Sequence, residues 1–279
     1  MIFKNGIRSK IEPLKESVFR KSHIHVKGFV PKVKVFIERE RYIIKTAENN
    51  EELIKALKLR HEVFYKELLN KNLFLGIDYD RFDLKCDHLI LIDKRTGKFF
   101  ATYRFNSSQF TKKFYSATEF SLDRVNALGG NKLELGRACV HRDYRNGLSV
   151  ALLWRGLTEY MKATDTRYCF GCSSVKTTDK NDIAAIHKVL MKTSAGPDDL
   201  RIRAKGKFKI HNFREAVDSV TPEDEQRAAG MVPPLITQYI KMGAMICGEP
   251  ALDKKFKCVD YFTFFDLDKP NMFKKKFMV

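Results

Sequence analysis

Leu133-Glu134-Leu135-Gly136-Arg137-Ala138-Cys139-Val140 runs into His141-Arg142-Asp143-Tyr144-Arg145-Asn146-Gly147-Leu148-Ser149, and then into Val150-Ala151-Leu152-Leu153-Trp154-Arg155-Gly156-Leu157. The spacing predicts strand, tight turn, helix. Leu133, Leu135 and Val140 are apolar, with Glu134 and Arg137 polar between them. Val150, Leu153, Trp154 and Leu157 then recur at i, i+3, i+4 and i+7, one face of a helix. A turn feeding a helix N-terminus aims free N–H groups and partial positive charge at whatever lies above it, so an anion such as phosphate is the natural guest. A ligand-free strand-turn-helix fits about as well, because one glycine is a weaker signal than a glycine-rich loop. Glu134 and Arg137 tip the balance: ionisable side chains inside a largely buried strand need a purpose or a partner.

Upstream, Arg41–Ala47 reads as a short strand, and Asn49 or Asn50 as the cap of a helix Glu51–Leu69. Leu53, Ala56, Leu57, Arg60, Phe64 and Leu68 share nearly one face of it. Arg60 on that apolar stripe is either a functional group or a snorkelling side chain. The loop Gly76–Asp87 carries Asp78, Asp80, Asp83 and Asp87. It lacks the patterned ligands and terminal Glu of a calcium loop. The cluster therefore either solvates its loop or holds a cation, an organic ammonium before a metal. His88–Asp93 and Lys98–Phe105 form a hairpin around Thr96-Gly97, with Arg104 polar in the second strand. Downstream come a strand Arg167–Ser174, a helix Asp179–Met191, an irregular charged stretch 192–234, a short helix Leu235–Met242, and strands Ala244–Cys247 and Cys258–Phe265. That order gives a mixed α/β sheet.

The chain of 279 residues has room for one large domain or two small ones. Its 52 Lys and Arg against 34 Asp and Glu leave a net charge of +18. Such a balance favours an acidic partner: nucleic acid, an anionic membrane surface or an acidic protein. Residues 1–40 read as a basic extension with Ile7, Ile11, Leu14 and Val18 on one face, suited either to anionic lipid or to packing on the main domain. The domain proper spans 41–265, and 266–279 form a basic tail. Six cysteines in apolar contexts read as reduced core residues of a cytosolic protein. Cys169-x-x-Cys172 has no second pair to complete a zinc site, so no metal is expected. No apolar run approaches the ~20 residues needed to span a bilayer, so any membrane contact is peripheral.

Arg60 and Phe64, Asp80-x-x-Asp83, Arg104 and Glu134-x-x-Arg137, in this order, resemble the acyl-homoserine-lactone synthases, a branch of the GNAT N-acyltransferase fold that uses acyl carrier protein. The closer resemblance is to the bacterial ornithine-lipid N-acyltransferases, a haemolysin-like group. It is carried by Asp80-Arg81-Phe82-Asp83, Cys86-Asp87-His88-Leu89, Thr102-Tyr103-Arg104, Tyr115-Ser116-Ala117 with Glu119-Phe120, and Leu133-Glu134-Leu135-Gly136-Arg137. Leu152-Leu153-Trp154-Arg155-Gly156, Phe170-Gly171-Cys172-Ser173-Ser174, Pro233-Pro234-Leu235-Ile236, Gly243-Ala244 and Cys247-Gly248-Glu249-Pro250 continue it. It covers about residues 41–265 and does not extend to residues 1–40.

The resemblance implies an α/β GNAT fold with a mixed, mostly antiparallel sheet. It implies transfer of a 3-hydroxyacyl group from acyl carrier protein to the α-amino group of ornithine, giving lyso-ornithine lipid. No cofactor is held permanently; the carrier protein's phosphopantetheine arm is the donor. The attacking amine must lose a proton, which Glu134 could accept directly or through water, unless it only pairs with Arg104 or Arg137. The N–H at Val140 would stabilise the thioester oxygen, and the strands around Glu134–Val140 and Tyr168–Ser174 would splay to admit the arm. Asp80 and Asp83 would hold the amino acid's ammonium groups, Arg104 and Arg137 its carboxylate, and Arg60 and Phe64 would order the loop. Arg142, Arg145, Gly147 and Ser173 would serve the donor. Where other GNAT enzymes read Gln/Arg-x-x-Gly-x-Gly/Ala, Arg145-Asn146-Gly147-Leu148-Ser149 is one residue short and lacks a glycine. That suits a single pantetheine phosphate on an acidic carrier, which the +18 charge would steer into place.

Three other readings stay open. An N-acylglycine or other N-acyl amino acid synthase would share fold and mechanism. A homoserine-lactone synthase usually carries a Trp between the helix motif and the acidic loop, whereas the one Trp here is Trp154. A basic module binding nucleic acid or a lipid surface is allowed by charge, but no nucleic-acid motif is present, so nucleic acid is not expected as a partner.

Overall fold

The computed structural model describes residues 26–269. In chain order the strands are β1 Phe36–Glu38, β2 Tyr42–Thr46, β3 Asp87–Asp93, β4 Lys98–Ser107, β5 Phe120–Ser121, β6 Asn131–Val140, β7 Thr166–Val175, β8 Arg203–Ala204, β9 Met245–Ile246, β10 Ala251–Asp253 and β11 Cys258–Asp266. The α-helices are α1 Asn50–Arg60, α2 Asp123–Ala127, α3 Gly147–Ala163, α4 Lys180–Ser194, α5 Phe213–Asp218, α6 Pro222–Ala229 and α7 Pro234–Lys241. The chain divides into two compact units. One holds residues up to Arg104 and Arg137–Leu157; the other holds Phe105–Gly136 and Thr158 onward. No helix among the described residues is long and apolar enough to cross a membrane.

In the first unit β1, β2, β3 and β4 follow one another across the sheet. Ile44 faces Leu91 and Ile37 faces Ile44 in antiparallel register. β6 lies beside β4, and at its end His141 N–H donates to the Phe100 carbonyl at 2.7 Å. Asn49 caps α1 by accepting from Glu52 N–H, one of the two caps the sequence offers. Leu53, Ala56 and Leu57 of α1 pack on Val26, Phe29, Ile77 and Ile90. Part of the basic stretch 1–40 thus contributes core residues. Asp87 anchors it by accepting from the Lys32 and Val33 N–H groups at 2.8 and 3.0 Å. The amphipathic face Ile7–Val18 and the tail beyond Lys269 lie outside the described residues. α3 packs tightly on the sheet: a Cβ on Gly156 would come within 2.7 Å of Ile44 and Leu89.

The helix expected to continue to Leu69 changes type at Arg60. His61–Leu68 is a π-helix, whose wider turn breaks the 3.6-residue period. The buried set becomes His61, Val63 and Tyr65. Leu68 is left exposed, and Phe64 is half-buried against Leu59, Val63 and Cys139.

In the second unit β6 runs parallel to β7, from Asn131–Thr166 to Glu134–Phe170. β7 and β10 flank β11 in antiparallel register, and β9 also pairs with it. β11 is buried on both faces. Phe262 and Phe264 join an aromatic cluster with Phe114, Phe120 and Phe170; Val259 and Tyr261 face the helices α4 to α7 through Ile183, Ile186, Leu190, Phe213 and Ile236. This burial explains the near-continuous apolar run of the strand. All six cysteines are free thiols, five of them buried and Cys172 half-buried.

Candidate active site

Arg60 ends α1 with no solvent exposure, so it does not snorkel. Its Nε donates to Asp78 at 2.9 Å, and Nη1 and Nη2 donate to Asp83 at 2.6 and 3.3 Å. Arg104, on β4 and 4% exposed, donates from Nη1 to Asp80 at 2.8 Å and to Asp83 at 2.9 Å. Arg137, on β6, approaches Asp80 at 3.4 Å and Asp78 at 3.5 Å. Three guanidinium groups meet three carboxylates within the first unit, and their formal charges cancel. The aspartates of the acidic loop, expected to hold an ammonium, pair here with the chain's own arginines.

The members differ in access. The Asp83 carboxylate is fully buried and accepts from Arg60, from Arg104, and from Asp80 N–H at 2.7 Å. A carboxylate offers about four acceptor directions, so Asp83 is saturated by the framework. Against the cost of burial, Arg60 and Arg104 hold it well below the usual carboxylate range. Beside it His88 Nε2 donates to the Asp83 carbonyl at 2.9 Å; burial pushes its imidazole down to about 4. Asp80 and Arg137 form the open edge, with side-chain exposures of 22% and 16%. Asp80 is also held low: burial opposes the shift, Arg104 drives it, and Arg137 adds to it.

Arg137 takes φ +56°, the left-handed region that a non-glycine residue enters at a cost of order 1–3 kcal/mol. The kink breaks the alternation of β6 and turns this guanidinium toward the acidic loop. Gly136 precedes it, yet the strain sits on the arginine.

Glu134 lies three residues earlier, in the second unit, and is 5% exposed. Oε2 accepts from Tyr115 N–H at 2.7 Å and from Asn106 Nδ2 at 3.3 Å; Oε1 accepts from Ser116 N–H at 2.6 Å. Two successive amides and one side-chain amide hold the carboxylate in one orientation, with room for one further donor. The role of Asn106 and of the 115–116 amides is not legible in sequence, because backbone donors carry no residue signature. The β6–β7 ladder runs to Glu134–Phe170, and at the next step a Cβ on Gly171 would lie 2.2 Å from the Leu135 carbonyl oxygen. Only glycine admits that approach.

The residues expected to meet the donor occupy several settings. Val140 is half-buried at the end of β6, and its carbonyl accepts from Arg145 Nε at 3.0 Å. Arg142 is exposed on the turn. Arg145 is engaged by Glu67 through both Nη atoms, the second at 2.8 Å, which raises its pKa. Gly147 opens α3, where Asn146 accepts from Ser149 N–H at 3.0 Å. Ser173, in the second unit, is buried and accepts from the Thr263 hydroxyl at 2.7 Å.

Residues 59–155 match the model of the acetyltransferase (GNAT) domain family. The chain is 30% identical over 242 residues to the L-ornithine N(alpha)-acyltransferase of Rhodobacter capsulatus, covering 81% of this chain and 90% of that protein. The enzyme of the same name from Brucella abortus is 29% identical over 246 residues, 81% of this chain and 84% of that one. Among solved structures, FeeM, an N-acyl amino acid synthase from uncultured soil microbes, covers 85% of this chain and 96% of its own with 11% identity and a TM-score of 0.45. The CoA-dependent acyl-homoserine lactone synthase BjaI covers 81% and 82%, with 14% identity and a TM-score of 0.41.

Proposed function

This chain belongs to the L-ornithine N(alpha)-acyltransferase family and is a GNAT-fold acyltransferase, and from that premise we propose that it acylates the α-amino group of ornithine, with acyl carrier protein as donor and lyso-ornithine lipid as product. What carries the acceptor is the 30% identity to a curated enzyme of that name along nine-tenths of its length. The donor rests on the short Arg145–Ser149 turn, which suits one phosphate better than a diphosphate, and on the +18 charge that would attract an acidic carrier.

An amino acid is a zwitterion, and the open edge of the charge cluster offers one group of each sign. Arg137 matches the α-carboxylate with a guanidinium fork, and Asp80 matches an ammonium. Asp83, Arg60 and Arg104 serve by fixing that edge, and Phe64 by packing the π-helix beside Cys139. Glu134 takes the amine proton through its one remaining acceptor direction, directly or by way of a water. As the nitrogen attacks the thioester carbon, the N–H of Val140 stabilises the carbonyl oxygen, which becomes negative. The tetrahedral intermediate then expels the pantetheine thiolate. Arg142, open to solvent, meets the pantetheine phosphate or an acidic carrier surface. Arg145, Gly147 and Ser173 shape that approach.

The test is incubation of purified enzyme with a 3-hydroxyacyl carrier protein and a panel of amino acids, with products read by mass spectrometry. N-acyl-ornithine is expected. Acylated glycine alone would replace the acceptor, and turnover with acyl-CoA but not with the carrier protein would overturn the donor assignment.

A further inference from the structure

Away from the charge cluster, the hairpin of β10 and β11 brings Asp253, Cys258 and Asp260 together. Asp253 faces Cys258 across the hairpin and Ala251 faces Asp260, so the three side chains share one face. One ligand atom from each lies within 4.8 Å of the others, and all three residues are buried. The Ser174 hydroxyl donates to Asp260, and Asp253 accepts from the Lys255 and Phe256 N–H groups at 2.8 and 3.2 Å.

A fourth acid borders the group. Glu119 is 1% exposed and hydrogen-bonded to Asp260 and Tyr115. Among the described residues its Oε2 has no hydrogen-bond partner. A buried carboxyl oxygen without a donor costs free energy, and three carboxyl groups with a thiol in one dry place carry a concentrated demand for positive charge. Hydrogen ions meet that demand only in part, since they leave Glu119 Oε2 unserved.

The geometry points to a structural divalent metal site of the zinc class, with Asp253, Cys258 and Asp260 already gathered as ligands and the neighbouring Glu119 drawn in as the fourth when the metal binds. Thiolate plus carboxylate oxygen is an accepted donor set for Zn²⁺, four ligands complete its tetrahedron, and a site with no open position is structural. Loading releases the Cys258 thiol proton and the proton shared by Glu119 and Asp260 to solvent. The metal would clip the segment Tyr115–Glu119 to the hairpin. That same segment presents the Tyr115 and Ser116 amides to Glu134, so the site braces the carboxylate without touching substrate.

Full-length enzyme treated with a chelator and titrated with Co²⁺ alone should develop thiolate-to-cobalt charge-transfer absorption that saturates at one equivalent and is bleached by Zn²⁺. Cys258→Ser should abolish the band, and Cys172→Ser should leave it. Asp260→Asn, which keeps the thiol and the volume, should weaken cobalt binding at least tenfold. No band in the wild type, a band that survives Cys258→Ser, or unchanged affinity in Asp260→Asn would each overturn the site.

Discussion

Replacing Arg60 by Met tests whether the charge cluster is a cooperative framework. The wild-type side chain is closed from solvent and makes three charge-assisted bonds, one to Asp78 and two to Asp83. Met keeps the length and most of the volume but removes the charge and every donor. Asp83 retains Arg104 and Asp80 N–H, so it is not stripped; Asp78 loses its shorter contact. Three arginines against three aspartates become two against three, which leaves one uncompensated negative charge in a buried place. Breaking a buried pair in this way costs about 3–5 kcal/mol, a large fraction of the 5–15 kcal/mol typical of a whole domain. Urea unfolding followed by the fluorescence of Trp154, the one tryptophan, reads the loss in the unit that contains the cluster. Asp83→Asn and the double variant complete a cycle whose coupling energy should reach about 2–3 kcal/mol. Arg60→Lys should recover less than half, because one ammonium cannot bridge both aspartates. A loss below about 1 kcal/mol in Arg60→Met, or zero coupling, would refute the framework.

Glu134→Gln should lower kcat for acyl transfer ~100-fold or more, and full activity in that variant would remove the carboxylate from the chemistry. Gln also turns an NH₂ toward a backbone N–H, so hydrogen exchange at Tyr115 and Ser116 should accelerate; a kcat loss with unchanged exchange isolates the proton-transfer role. Stability should fall with acidification. Burial lowers His88 and His187 to about 4, below their unfolded value of ~6.5; the unfolded chain therefore binds protons first, and stability drains between about pH 6.5 and 4 by on the order of 3 kcal/mol per histidine. Below that window the depressed Asp83 continues the loss; urea midpoints flat from pH 7 to 4.5 would contradict this. Gly171→Ala should cost about 1–3 kcal/mol, measured by the urea midpoint, since its methyl meets the Leu135 carbonyl oxygen, which belongs to the backbone of β6 and has no rotamer to change.

The strand-turn-helix of Leu133–Leu157 was readable because two periods meet there: alternation to Val140 and a 3.6-residue repeat from Val150. Helix-capping asparagine and the buried run of β11 were equally visible. The π-helix was not, because the sequence His61–Leu68 satisfies an α-helical stripe as well, and only the packed structure selects the wider turn. The charged stretch 192–234 hid α5 and α6. Thr221-Pro222-Glu223-Asp224 carries a capping box with Pro at the first turn, a signal that could have found α6. In the candidate site, the residues Arg60, Asp80, Asp83, Arg104 and Arg137 were visible as ionisable groups in apolar surroundings. Their division was not. Which aspartate faces inward depends on loop geometry, so Asp83 was expected to meet an ammonium and instead meets two arginines.

The chain enters and leaves each compact unit through the interiors of β4, β6 and α3, at Arg104/Phe105, Gly136/Arg137 and Leu157/Thr158. During synthesis the first unit is not complete until Leu157 has left the ribosome. By then residues 105–136, Glu134 among them, have emerged ahead of their partners in β7 and β11. No single truncation frees either unit intact, and a nascent chain stopped between 137 and 157 exposes the aromatic residues Phe114 and Phe120 without Phe170 and Phe262 to cover them. Neither unit is therefore a contiguous segment of the chain, and the core of the second is covered only once β7 and β11 have been made.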